Sequence, residues 1–162
     1  MNKYRSHNCA DLSEKDVGKE ISLSGWLHRK RDHGNLLFID LRDHYGLTQC
    51  VIENNNKFFS ILEKIKPESV LNIIGKVVKR EKGTENLELS TGKIEVDIKS
   101  IKILSEAKEL PMPVFGEQDY PEDIRLKYRF LDLRREEMHK NIILRSKVIS
   151  FIRSEMLNLG FL

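Results

Sequence analysis

Between Glu20 and Leu104 apolar residues recur at every second position in short runs separated by glycine or asparagine, the pattern of several short strands. Ile21, Leu23 and Leu27 alternate along the first run, Ile21 to Arg31, with Gly25 placed where a strand bends or bulges. Asp32-His33-Gly34-Asn35 reads as a turn. The second run sets Leu37, Ile39 and Leu41 on one face and Phe38, Asp40 and Arg42 on the other, so Phe38 is expected to point away from the core. After a turn at His44-Tyr45-Gly46, a third strand covers Leu47 to Glu53, and either of its faces could be the buried one. Asn54 to Asn56 precede a helical stretch, Lys57 to Lys66, which carries Phe58, Ile61, Leu62 and Ile65 at helical spacing and is ended by Pro67. A fourth strand, Ser69 to Arg80, leads through the loop from Glu81 to Asn86 to a fifth. There Ile94, Val96 and Ile98 give way to Ile101 and Ile103, and the change of phase near Ser100 predicts a β-bulge.

Three strands, a short helix and two further strands is the order of the OB-fold, a five-stranded Greek-key barrel whose exposed face binds oligonucleotides. The fold expected is therefore mostly β: this barrel over residues 1–104, with its short helix between strands 3 and 4, then a linker and a long C-terminal helix. The linker, 105–124, is marked by Pro111, Pro113, Gly116 and Pro121 among acidic residues. Within 125–162, Arg134 to Leu159 reads as one amphipathic helix with Met138, Ile142, Ile149, Ile152, Met156 and Leu159 on its stripe and Gly160 at its end. That stripe has no cover within the chain, so a surface outside it is expected to complete it.

At 162 residues the chain holds one sizeable core and an extension, too little for a large enzyme. Hydrophobic content of 40% and charged content of 33% are those of an ordinary globular protein. Cys9 and Cys50 are too few for a disulfide framework or a cysteine zinc site, the start is polar, and no apolar run approaches a membrane span; a cytoplasmic protein is expected. His7, His28, His33, His44 and His139 have no partners at metal-ligand spacing, and the glycines are scattered singly, so no metal, no phosphate-cradling loop and no catalytic residue is expected. Cys50 reads as a small core residue.

Net charge is only +3, which leaves room for a local basic patch. Positive charge gathers in His28-Arg29-Lys30-Arg31, with Arg42 further on. Recognition of single-stranded RNA needs an aromatic ring to stack on a base, cations to follow the backbone, and amides or carboxylates for base edges. Phe38, Arg29, Arg31, Gln49 and Glu95 supply that set. Two other readings stand beside it: a generic OB-fold module that binds single-stranded nucleic acid without enzyme activity, and a protein-interaction domain whose barrel face binds no RNA.

The stretch from Gly25 to Asp43, GWLHRKRDHGNLLFIDLRD, resembles the first hairpin of bacterial-type aspartyl-tRNA synthetases. Thr91 to Val96 resembles the family's fifth strand, and Arg125 to Arg135, RLKYRFLDLRR, its entry to the catalytic domain. Lysyl- and asparaginyl-tRNA synthetases share a similar form of the last stretch, so the first hairpin is the more specific. The resemblance implies an N-terminal anticodon-binding region of a class IIb enzyme, with Phe38 stacking on the central anticodon base and Arg29, Arg31, Gln49, Arg80 and Glu95 contacting bases or phosphates; Lys30 is a weaker candidate. It implies a linker that acts as a hinge, and a last helix that begins the dimer interface, so that the full-length enzyme is a homodimer and the segment alone a monomer. It implies that the full-length enzyme joins aspartate to tRNA-Asp using ATP and magnesium, with the catalytic residues beyond Leu162, so that the segment binds without catalysing. His33 and Gly83 stand where enzymes charging both tRNA-Asp and tRNA-Asn tend to carry His and Gly, which extends the expected partners to tRNA-Asn.

Overall fold

The computed structural model describes residues 3–116 and 119–162. They form two compact units, residues 1–109 and 110–162.

In the first unit five strands close into a barrel: β1 (Glu20–Asp32), β2 (Leu36–Arg42), β3 (Leu47–Glu53), β4 (Val70–Lys79) and β5 (Ile94–Ser105), with helix α1 (Phe59–Lys64) between β3 and β4. Around the barrel the strands run β1-β2-β3-β5-β4, and β4 returns to pair with β1. All neighbours are antiparallel except β3 and β5, which meet in parallel at Cys50–Val96 and Val51–Asp97. The alternation in the sequence does set the faces: Ile21, Leu23, Leu27, Leu37, Ile39, Leu41, Ile73, Val77, Ile94 and Val96 are all buried in one core. In β3 the inward face is Thr48, Cys50 and Ile52, which leaves Gln49 on the outside. The phase change in β5 is a bulge, since Ile74 pairs with Ser100 and Gly75 with Ile98, so that Lys99 is the extra residue.

A second bulge, in β1, is not signalled by the sequence. Leu27 pairs with Leu41 and Arg29 with Asp40, so His28 is the inserted residue. Strict alternation from Leu27 would turn Arg29 and Arg31 inward; the bulge reverses the phase, leaving both exposed and turning Lys30 the other way. Lys30 Nζ then donates to the carbonyls of Glu63 and Ile65, each at 2.6 Å, and of Leu62 at 3.4 Å, at the C-terminal end of α1. A cation there satisfies carbonyls that the ended helix leaves open. Lys30 is thus committed to holding α1, and Leu62 and Ile65 of that helical segment join the barrel core. His28 and Arg42 are also engaged: Arg42 bonds His28 Nδ1 at 2.8 Å and takes both carboxylate oxygens of Glu68, at 2.8 and 3.0 Å.

The helix predicted from Lys57 to Lys66 is shorter, Phe59–Lys64, because Asn56 Oδ1 receives the Phe58 N–H in a turn ahead of it. In the second unit α2 (Glu122–Lys127), α3 (Arg129–Asp132) and α4 (Glu136–Asn158) follow one another. Met112, Val114 and Leu131 are buried together, with Leu110, Tyr120, Ile124 and Tyr128 packed against them, so the proline-marked segment carries a small core. Asp132 is fully buried and paired with Arg125, at 3.1 Å, and with Arg129. No residue of α4 is buried, and Leu144, Val148 and Phe151 extend its exposed apolar face beyond the predicted stripe. No helix among the described residues is long and apolar enough to cross a membrane.

Candidate nucleic-acid interface

The pairing register lines up the outward residues of β1, β2 and β3 in two rows. Arg31, Phe38 and Val51 form one row, and Arg29, Asp40 and Gln49 the next. Beside them β5 contributes Glu95 and the end of β4 leads into Arg80. Sequence reasoning therefore named residues from four separate strands and a strand end that the barrel gathers on one side.

Hydrogen bonds join this group in series. Arg31 Nη2 donates to Asp40 Oδ1 at 2.9 Å and to Gln49 Oε1 at 3.0 Å. Gln49 Nε2 in turn donates to Glu95 Oε2 at 2.9 Å. The Gln49 amide is thereby fixed with its oxygen towards Arg31 and its nitrogen towards Glu95, and each atom keeps capacity for one further partner. Such an amide presents a donor and an acceptor side by side, as a base edge requires.

Arg80 is 6% exposed, unusually low for an arginine. Its Nε donates to the Ile94 carbonyl at 3.0 Å and its Nη1 to the Thr84 carbonyl at 3.4 Å, which ties it to the loop containing Gly83. Its Nη2 is buried with no hydrogen-bond partner among the described residues. A buried donor without an acceptor is costly, and a ligand phosphate or base oxygen is the kind of group that satisfies it. Burial lowers the Arg80 guanidinium from its ordinary value, against the pull of Glu95 and Asp40. Burial likewise raises the Asp40 carboxyl, against the pull of Arg31, Arg29 and Arg80. Beneath them the fully buried Cys50 thiol is pushed up by burial and then by Asp40 and Glu95, so it is protonated and no nucleophile.

Phe38 is half-buried, and the His33 ring meets it edge-on, with centroids 5.4 Å apart and planes at 88°. His33 itself is exposed at the end of the β1–β2 hairpin. Gly83 adopts φ +91° in open space, its N–H bonded to Glu85 Oε2 at 3.0 Å. The face thus combines an aromatic ring, exposed and buried arginines, an oriented amide and two carboxylates. Asp40 is the member that sequence reasoning left without a role; its pairing with an arginine across a bulge has no period to reveal it. Among the described residues no group of three or more His, Cys, Asp or Glu side chains is placed to hold a metal ion.

Residues 21–104 match the family model described as the OB-fold nucleic acid binding domain. The chain belongs to that family. Beyond this OB-fold nucleic acid binding domain, residues 121–162 match the model described as tRNA synthetases class II (D, K and N). The chain is 65% identical to the aspartate–tRNA(Asp/Asn) ligase of Pelagibacter ubique strain HTCC1062, over all of this chain and 27% of that protein. It is 57% identical to the aspartate–tRNA(Asp/Asn) ligase of Phenylobacterium zucineum strain HLK1, again over all of this chain and 27% of the relative. The chain therefore spans about a quarter of the length of these curated relatives. Among solved structures, asparaginyl-tRNA synthetase from Pyrococcus horikoshii superimposes with a TM-score of 0.81 at 25% identity, over 95% of this chain and 36% of that one.

Proposed function

We propose that this chain is the anticodon-reading part of an aspartate–tRNA ligase. The observation that carries the reading is the linked group Asp40–Arg31–Gln49–Glu95 beside Phe38 and the unpartnered Arg80 nitrogen, on an OB-fold whose relatives are named aspartate–tRNA(Asp/Asn) ligases. Phe38 stacks on an anticodon base, Gln49 and Glu95 meet base edges, and Arg29, Arg31 and Arg80 take phosphates or base oxygens. Residues 1–104 form the binding domain, 105–124 a hinge, and 125–162 the beginning of the catalytic domain. Activation of aspartate with ATP and magnesium and its transfer to tRNA belong to the part of the relatives that this chain does not span, and the full-length protein works in the cytoplasm as a homodimer. The absence of any buried residue in α4 supports that last assignment.

His33 and Gly83 extend the substrate to tRNA-Asn. His33 lies against Phe38, and the loop holding Gly83 is tied through Thr84 to Arg80, so both border the same face. A residue of small volume and unusual backbone freedom in that loop leaves room for either of two bases at one anticodon position. The full-length protein is expected to aspartylate tRNA-Asn as well as tRNA-Asp, measured by charging of each purified tRNA; undetectable charging of tRNA-Asn would remove this extension and leave the reading of tRNA-Asp in place.

A further inference from the structure

We propose that Asp40 is a positioning residue for base reading: its buried carboxylate fixes the Arg31 guanidinium, and through Arg31 it fixes the amide of Gln49 against Glu95. This inference rests on the anticodon-reading function proposed above and adds to it a residue that would touch no RNA itself.

The geometry has three parts. Asp40 is 8% exposed and lies between Arg29 of β1 and Gln49 of β3 in the pairing register. Arg31 Nη2 is shared between Asp40 Oδ1 at 2.9 Å and Gln49 Oε1 at 3.0 Å, so the carboxylate and the amide oxygen pin one nitrogen from two sides. Gln49 Nε2 reaches Glu95 Oε2 at 2.9 Å, which gives the amide one orientation rather than two. An unfixed glutamine can turn its amide over and present donor and acceptor in reversed order, and it then distinguishes bases poorly. A charge-assisted bond holding the neighbouring guanidinium removes that freedom before RNA arrives, which is the usual gain from preorganisation.

Charge makes the proposal separable from a merely structural role. Arg29, Arg31 and Arg80 all lie near Asp40, and Arg80 lies near Glu95 as well. Asp40→Asn keeps the shape and leaves Glu95 alone against the three arginines, so attraction for any RNA backbone is kept or increased. Specific and non-specific binding are therefore expected to move in different directions.

The experiment titrates the full chain and its Asp40→Asn variant with the tRNA-Asp anticodon stem-loop and with loops carrying single-base swaps. The expected result is that the preference for the cognate loop falls roughly tenfold, the scale of one charge-assisted hydrogen bond, while affinity for swapped loops is unchanged or tighter. In the same samples the Gln49 side-chain amide resonances should shift in the variant before RNA is added. Arg31→Lys, which keeps the charge but not the planar fork, should lose a similar preference, and combining it with Asp40→Asn should add little further loss. An unchanged preference in Asp40→Asn, a parallel weakening for all loops, or full additivity in the double variant overturns the inference. A wild-type chain that shows no preference overturns the anticodon-reading function and the inference together, whereas a wild-type preference that Asp40→Asn retains overturns the inference alone.

Discussion

Phe38→Ala should weaken binding of the tRNA-Asp anticodon stem-loop by about 1–3 kcal/mol, the range for loss of one base–aromatic stack, or roughly 5- to 150-fold in Kd. Phe38 lies on the outer face of β2, between Leu37 and Ile39, which are 2% and 0% exposed and carry that strand's share of the core. Truncating it opens no core cavity, so the unfolding midpoint should stay close to wild type. No charge is removed either. The slope of log Kd against log salt, which counts neutralised phosphates, should be unchanged. Fluorescence anisotropy with a labelled stem-loop at two or more salt concentrations reads both quantities, and unchanged affinity in a variant with an intact melt would remove Phe38 from the interface.

Gly25→Ala should destabilise the barrel by about 1–3 kcal/mol, the cost of forcing an atom into a packed interior. Trp26 is where β1 ends its pairing with β4 and begins its pairing with β2, so Gly25 stands at the corner that closes the barrel. A Cβ at Gly25 would sit 2.3 Å from the Arg42 carbonyl oxygen and 3.3 Å from Leu41 Cγ. Backbone on a facing strand cannot yield as a flexible side chain does, and small residues are what such barrel corners accept. At about 4–8 °C per kcal/mol for a domain of this size, thermal unfolding should shift down by several degrees or more. A melt identical to wild type would mean that β1 and β2 do not approach as closely as this.

The same corner shows what was legible beforehand. Gly25 interrupts an otherwise regular alternation, and Ser100 marks the point where the alternation of β5 changes phase, so both irregularities could be read. The bulge at His28 could not. Leu27 precedes it, but only charged residues follow up to Asp32, and a run such as His28-Arg29-Lys30-Arg31 has no apolar member whose burial would betray the phase. For the same reason Lys30 read as one more cation of the basic run, although its ammonium holds the end of α1. Met112 and Val114 escaped notice for a different reason: Pro111 and Pro113 alternate with Leu110, Met112 and Val114 and mark the stretch as a linker, and only the fold brings Leu131 to them. In the candidate site, alternation alone placed Phe38 and Asp40 outward, but β3 was ambiguous because Thr48 rather than an aliphatic residue occupies an inward position. Arg80 could be named only through the family resemblance, since nothing in its neighbourhood distinguishes it from Lys79; its burial and unpartnered nitrogen are properties of the folded barrel.

The central claim is that one face of this barrel reads anticodon bases and does not merely attract RNA. It is tested most directly by titrating the chain with the tRNA-Asp anticodon stem-loop and with three variants, each swapping one anticodon base, at a single moderate salt concentration. Apart from the exchange that gives the tRNA-Asn anticodon, each swap at a base held by Gln49, Glu95 or Arg80 should weaken binding by about tenfold or more, the scale of one lost hydrogen bond together with the buried group it leaves unsatisfied. Equal affinity for all four loops would contradict it.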